Sequence, residues 1–333
     1  MTFASAVQDA PGWWDGRPVA ITGASGFIGS HLVAALSLAG AQVHALVRTP
    51  RRGLPMDQDR NVTQHRWALD DDAASERLLA DIQPEVVFHG AVHRSAAGGS
   101  VEPEGAEGEA LALRLTVEGG EAFVRRCARH GVRRLVLLGS SSEYGPHDAP
   151  LREDMADAPV SLHGRTKAAL TAAVRELAAQ GLNAVVLRIF YAYGPGDDPR
   201  RFIPTVCRAA LADEGVRLTP PGFMRDYVHV DNVVTACLRA GALDLEPGET
   251  INVGTGQGVD NHELVSIVQS LCAGRPAILS TDFPPRPADT GHWRADTGRM
   301  AARLGIDRVI GLHEGLADVL RHMQAAESVG VRP

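Results

Sequence analysis

Thr22-Gly-Ala-Ser-Gly-Phe-Ile-Gly29 places three glycines at intervals of three residues, between a stretch that reads as a short buried strand and one that reads as a helix. Gly23 permits the tight turn, Gly26 lets backbone approach a pyrophosphate, and Gly29 allows close packing of helix on strand. Ser25, Phe27 and Ile28 belong to the same turn. The helix start adds N–H donors and positive potential, so the segment is expected to bind a dinucleotide. A free ribose 2′-hydroxyl calls for an acidic residue about 20 positions further on, at the end of the second strand. That place holds Arg48, with Arg51 and Arg52 close behind. The local charge suits a 2′-phosphate, which favours NADP(H) over NAD(H); the competing reading of Arg51 and Arg52 is a solvated basic turn.

These residues need a frame. Arg17–Thr22 is predicted as the first strand, Phe27–Ala39 as a helix with Gly40 at its end, and Ala41–Val47 as the second strand. Apolar runs recur at Val86–Phe88, Leu135–Leu138 and Ala184–Leu187, separated by segments of helical periodicity. Strands apolar throughout, alternating with helices, imply an α/β protein with a Rossmann-type, doubly wound parallel sheet covered on both faces. Beyond Gly194 the pattern loosens into Pro- and Gly-rich loops at 194–199, 219–222 and 283–287. We therefore assign 1–194 mainly to a dinucleotide-binding domain and 195–333 mainly to a smaller substrate-binding region, with some elements returning to the sheet. The stretch Ser95–Gly108, dense in Ala, Gly, Glu and Ser, reads as a loop.

At 333 residues the chain exceeds the size of one core. Its composition is 44% hydrophobic and 22% charged, with a net charge of −7, which argues against a nucleic-acid or anionic-membrane footprint. The four cysteines, Cys127, Cys207, Cys237 and Cys272, form no C-x-x-C pair and read as small buried apolar residues, so no metal site is expected. No apolar run reaches the length of a membrane span and no signal peptide is legible, so a cytoplasmic protein is expected.

The sequence resembles the extended short-chain dehydrogenase/reductase family, of the NAD-dependent epimerase/dehydratase type that modifies nucleotide sugars. The resemblance rests on the glycine turn, Leu69-Asp70-Asp71, His89-Gly-Ala-Val-His93, Gly139-Ser-Ser-Ser-Glu-Tyr-Gly145, Leu187-Arg-Ile-Phe-Tyr-Ala-Tyr-Gly-Pro195, Arg225-Asp-Tyr-Val-His-Val-Asp231 and Asn252-Val-Gly254. It implies a nucleotide-diphosphate sugar as substrate and homodimerisation through two helices. It further implies Asp70 and Asp71 near the adenine, Gly90, Ala91, His93 and Phe190 along the cofactor, and Ser140 beside the reacting carbonyl or alcohol. Ser141, Tyr191, Arg225 and Arg286 match substrate-side positions, the two arginines suiting a diphosphate because the guanidinium offers a fixed fork of donors. His229 is read as structural.

The chain departs from the family pattern where the chemistry would occur. Tyr-x-x-x-Lys aligns with His163-Gly-Arg-Thr-Lys167, so histidine replaces the expected tyrosine. Residues four apart share a helix face, and Lys167 should still reach the nicotinamide ribose. Three readings of His163 stay open: it is the general acid, for which an imidazole near pKa 6.5 is well placed; it binds substrate while Tyr144 or Tyr191 supplies the proton; or the chain is a non-catalytic dinucleotide-binding homologue. Tyr191 and Thr116 each stand where the family usually has Asn. Sugar dehydratases of the family carry Asp-Glu directly after the active-site Ser/Thr, whereas Ser141 and Ser142 follow Ser140 here. NADPH-dependent reduction of a nucleotide-linked 4-keto-6-deoxysugar, in deoxysugar or secondary-metabolite biosynthesis, is the leading expectation. The alternative is a nucleotide-sugar epimerase with tightly bound NAD.

Overall fold

Apolar residues run without a polar interruption through several of the strands expected from the sequence, and only a sheet covered on both faces can bury them. The computed structural model describes residues 12–50, 59–93, 105–147, 149–284 and 292–328. In chain order the first half comprises β1 (Pro18–Thr22), α1 (Phe27–Leu38), β2 (Gln42–Val47), β3 (Val62–Arg66), α2 (Asp72–Ile82), β4 (Val86–His89) and α3 (Gly105–Leu113). A π-helical turn (Arg114–Gly119) then leads into α4 (Gly120–Arg129), followed by β5 (Arg134–Ser140), α5 (Leu162–Ala179) and β6 (Ala184–Ile189). The remainder is β7 (Tyr191–Tyr193), α6 (Phe202–Ala212), β8 (Gly215–Arg217), β9 (Tyr227–His229), α7 (Val230–Ala242), β10 (Thr250–Val253), α8 (Asn261–Leu271), β11 (Ala277–Ser280), α9 (Gly298–Leu304) and α10 (Leu312–Ser328). The stretch read as a loop over 95–108 is corrected at its end, since residues 105–108 form the first turn of α3; residues 95–104 lie outside the described residues.

Seven strands form one parallel sheet in the order β10-β6-β5-β4-β1-β2-β3. This is the doubly wound Rossmann order with β10 added at one edge, and the reversal between β1 and β4 opens a crevice at the carboxyl ends of the strands. Alternate residues of each strand feed opposite faces. Val19, Ile21, Phe88, Val136 and Val185 meet Leu32 and Leu36 of α1, Val233 and Leu238 of α7, and Leu304 of α9. Ala20, Val87, Leu135, Leu137 and Val186 meet Leu79 of α2, Phe123 of α4, and Leu170 and Val174 of α5. A third core, with Ile203 and Val206 of α6, Leu264 of α8, and Leu316 and Leu320 of α10, packs against Tyr193 and Tyr227 of the short β7–β9 pair. The four cysteines are buried and unpaired, and no helix among the described residues is long and apolar enough to cross a membrane.

Ahead of β1, Trp14 is 2% exposed and packs against Phe88 with ring centroids 6.1 Å apart, while Trp13 lies between the guanidinium groups of Arg17 and Arg133 at 4.3 and 4.9 Å. Residues 12–17 are thereby fastened to the sheet by one buried indole. Trp14→Ala should lower unfolding stability by about 3–5 kcal/mol, the usual cost of deleting a buried aromatic ring, as read by urea denaturation with an unchanged m-value.

Candidate active site

The glycine turn is built from backbone laid on backbone. Gly23 adopts φ +72°, and a Cβ there would lie 2.9 Å from the carbonyl carbon of Gly90; a Cβ at Gly29 would lie 2.2 Å from the Gly23 oxygen. Only glycine admits this contact among β1, α1 and the turn after β4. No side chain caps the start of α1, so its first N–H groups are available to an anion. Ser25 and Gly26 are exposed, and Phe27 and Ile28 half-buried, beside them. These features fit a dinucleotide diphosphate.

Thr22 ties the same crevice together from beneath. Its hydroxyl oxygen accepts the N–H groups of Gly90 and Ala91, each at 3.2 Å, and lies 2.9 Å from Nδ1 of the buried His89. With the oxygen receiving two donors, its own proton goes to Nδ1. Burial, aided by the charge of Lys167, pushes the imidazole down to about 3, which keeps His89 neutral and able to accept. His93, also placed on the cofactor by the sequence, donates its backbone N–H to Thr116 Oγ1 at 3.0 Å, so Thr116 is part of this edge. Arg48 is exposed immediately after β2; Arg51 and Arg52 lie outside the described residues. Asp70 is exposed, whereas Asp71 accepts the Ala74 N–H at 2.8 Å and caps α2. One oxygen of Asp71 is thus engaged by the helix start.

A second group of residues meets at the end of β5. Ser140, Ser141, Ser142 and Glu143 form a tight 3-10 turn with a capping box: the Ser140 oxygen accepts the Ser142 N–H at 3.2 Å and Glu143 accepts the Ser140 N–H at 2.7 Å. The helix α5 starts at Leu162 with Ser161 as its cap, accepting the Gly164 N–H at 3.1 Å. A Cβ at Gly164 would lie 2.4 Å from the Ser142 carbonyl oxygen, so the first turn of α5 rests directly on the serine turn. His163 is half-buried in that turn, beside Gly164. One helical turn on, Lys167 is 5% exposed and donates to the Leu138 carbonyl of β5 at 2.6 Å. The structure thus brings the helix turns bearing His163 and Lys167 against the strand and turn bearing Ser140.

Two expected residues are buried. Tyr144 is fully buried, its hydroxyl donates to Asn252 Oδ1 at 2.7 Å, and burial raises its phenol to about 12. The reading of Tyr144 as a proton donor is corrected, since its hydroxyl is buried and committed to Asn252. Phe190 is 4% exposed and its ring packs in the sheet core. Tyr191 is half-buried, with the Arg201 guanidinium 4.7 Å over its ring and Tyr227 edge-on at 5.1 Å. His229 holds a structural place, its Nδ1 accepting the Asp231 N–H at the start of α7.

Trp293 joins two residues that the resemblance placed near a substrate. Its indole N–H donates to Ser141 Oγ at 3.1 Å, and the Arg225 guanidinium lies 5.8 Å from its ring centroid. Next to Arg225, the buried Asp226 accepts from Thr255 N–H (2.8 Å), Thr255 O–H (2.6 Å), Gly256 N–H (2.9 Å) and Ala295 N–H (3.0 Å), locking three segments around one carboxylate. Arg286 lies outside the described residues. Among the described residues no group of His, Cys, Asp or Glu could hold a metal ion. Sequence reasoning missed Trp293, which carries no local signal, and Glu143, which the Ser-x-x-Glu spacing could have flagged as a capping box. It also missed Gly164, for which the His-Gly opening of a helix was the only hint.

Comparison with known proteins gives the following. The profile described as the NAD dependent epimerase/dehydratase family matches residues 19–254. The chain is 32% identical over 310 residues to a UDP-glucose 4-epimerase of Mycolicibacterium smegmatis, spanning 89% of this chain and 95% of that one. It is 31% identical to a dTDP-4-dehydro-6-deoxy-D-allose reductase of Streptomyces bikiniensis, spanning 86% of this chain and 90% of that one. Its fold is similar to that of MoeE5 in complex with UDP-glucuronic acid and NAD, with a TM-score of 0.81, 32% identity, and coverage of 92% of this chain and 99% of the other.

The contact of α5 with the serine turn makes Gly164 a sensitive point. Gly164→Ala must push the helix from the Ser142 carbonyl, and we expect a loss of about 1–3 kcal/mol, as for other overpacked sites. Thermal unfolding would measure it, and an unchanged midpoint would show that the contact carries no constraint.

Proposed function

The chain belongs to the NAD-dependent epimerase/dehydratase family, and from that membership we propose that it is an enzyme using a nicotinamide dinucleotide to act on a nucleotide-diphosphate sugar. More narrowly, we propose that it reduces a nucleotide-linked 4-keto-6-deoxysugar with NADPH as the reductant. The observation that carries the narrower reading is His163 in the first turn of α5, one turn from Lys167 and held by Gly164 on the serine turn.

When bound, the reduced nicotinamide supplies a hydride to the ketone carbon. The hydroxyl of Ser140 hydrogen-bonds the ketone oxygen and polarises it, and protonated His163 passes its proton to that oxygen as the carbon is reduced. The product is an alcohol, and the neutral imidazole regains a proton from water. The positive charge of Lys167, one helical turn away, favours release of that proton. Arg225, with Arg286 as its second partner, holds the diphosphate, and Trp293 keeps Ser141 and Arg225 in one wall. Arg48 answers the 2′-phosphate of NADPH.

The reductase of Streptomyces bikiniensis, by its name, acts on a dTDP-linked 4-dehydro-6-deoxysugar, which supports this reading. A second reading, an epimerase with tightly held NAD, is favoured by the named activity of the mycobacterial relative and by the NAD in the MoeE5 complex. Purified protein that retains an absorbing dinucleotide through dialysis would select the epimerase. Binding of NADPH without turnover of any ketosugar would select a non-catalytic homologue. Loss of NADPH absorbance on adding a dTDP-4-keto-6-deoxyhexose is the result expected of the reductase.

Within that assay, His163→Phe should reduce turnover by ~10²–10⁴-fold, the usual worth of a general acid, with NADPH affinity nearly intact; a loss of only a few-fold would move the proton-donor role to Tyr191. Arg48→Asp should shift preference from NADPH toward NADH, read as the ratio of kcat/KM for the two. An unchanged ratio would remove Arg48 from cofactor selection.

A further inference from the structure

Glu143 and Arg188 form an ion pair with both side chains 0% exposed, Glu143 Oε2 accepting from Arg188 Nε at 2.9 Å. Arg188 interrupts the otherwise apolar strand β6, and a charge in that position is costly unless fully partnered. Its guanidinium also bonds Asp157 and lies 4.2 Å over the Tyr144 ring, and Tyr144 in turn bonds Asn252 of β10. The other oxygen of Glu143 accepts the Ser140 N–H at 2.7 Å. Both carboxylate oxygens are therefore engaged by protein donors, which leaves Glu143 no acid–base chemistry of its own. What the pair does reach is the backbone of Ser140, whose hydroxyl donates to Ser142 Oγ at 3.0 Å and accepts the Ser142 N–H.

We propose that Glu143, anchored by Arg188, is a positioning residue that fixes the Ser140 backbone, and with it the place from which the Ser140 hydroxyl turns from Ser142 Oγ to the reacting oxygen. The inference rests on the role given to Ser140 above. The anchor crosses strands: Ser140 ends β5, Arg188 lies on β6, and the Tyr144–Asn252 bond extends the link to β10. A turn held only by its own backbone could rotate Ser140 with little resistance, whereas rotation here must break a charge-assisted bond inside the core.

Two substitutions separate positioning from stability. Glu143→Asp keeps the charge beside Arg188 but withdraws the carboxylate from the Ser140 N–H by one methylene. Turnover should fall on the order of 10²-fold with KM unchanged, as for a displaced catalytic group. Glu143→Gln keeps the reach and an acceptor oxygen but removes the charge, so it should lower the melting temperature while retaining most of the turnover. In a Ser140→Ala background, Glu143→Asp should cost nothing further. Parallel loss of turnover and stability in both variants, or independent multiplication of the Ser140→Ala and Glu143→Asp losses, would overturn the proposal. The wild-type protein gives a readout that needs no variant: the Ser140 amide proton, donated to a carboxylate, should resonate far downfield, and an ordinary shift would overturn the link. Full activity in Ser140→Ala would instead remove the role of Ser140 on which the inference rests, an outcome distinct from an inactive Ser140→Ala with an active Glu143→Asp.

Discussion

The candidate site depends on the direct contact of two pieces of backbone, the first turn of α5 and the Ser142 carbonyl. Glycine at position 164 leaves no side chain between them, and a Cβ there would stand 2.4 Å from that oxygen, closer than any stable contact. From this one approach the rest follows. His163 and Lys167 ride on the helix, Ser140 on the turn, and neither group can drift from the other without separating surfaces that have no slack. The bond from Lys167 to the Leu138 carbonyl fixes the next turn of the same helix to the same strand. Two neighbouring anchors of this kind define both the distance and the rotation of α5.

Around that contact the loops at the carboxyl edge of the sheet are held by polar side chains that use most of their capacity. Thr22 gathers Gly90, Ala91 and His89; Asp226 gathers Thr255, Gly256 and Ala295; Asn252 accepts from Tyr144 and donates to the Leu151 carbonyl. Each hub is buried, so a loop that left its place would strand a donor or acceptor away from water. A site made of loops thereby acquires the stiffness of regular structure. The cost is the desolvation of several polar groups, and it is justified where small displacements matter to chemistry.

Much of this was legible in the sequence, for reasons that differ by residue. The parallel sheet was readable because Val86–Phe88, Leu135–Leu138 and Ala184–Leu187 are apolar on both faces, and the glycine turn because Gly23, Gly26 and Gly29 recur at one spacing between a strand and a helix. Tyr144 was misplaced because it lies beside motif residues, and adjacency in sequence does not say which face of the chain a side chain takes; its ring turned inward to the core. The capping role of Asp71 was passed over, although a carboxylate before a helix commonly serves as a cap. Glu143 was adjacent to everything of interest and still passed over, since its importance comes from Arg188, which lies 45 positions away.

Trp293 carries a consequence of another sort. Its indole reaches back across 152 positions to Ser141, and the neighbouring Ala295 N–H closes the ring around Asp226. As the chain leaves the ribosome, the strands and helices that form the glycine crevice are complete long before this tryptophan has been made. Closing so long a loop is entropically costly and falls late in assembly. The glycine turn is therefore synthesised well before the residues that close around Ser141 and Asp226. The two groups of contacts are completed at different times, the early one local in sequence and the late one spanning much of the chain.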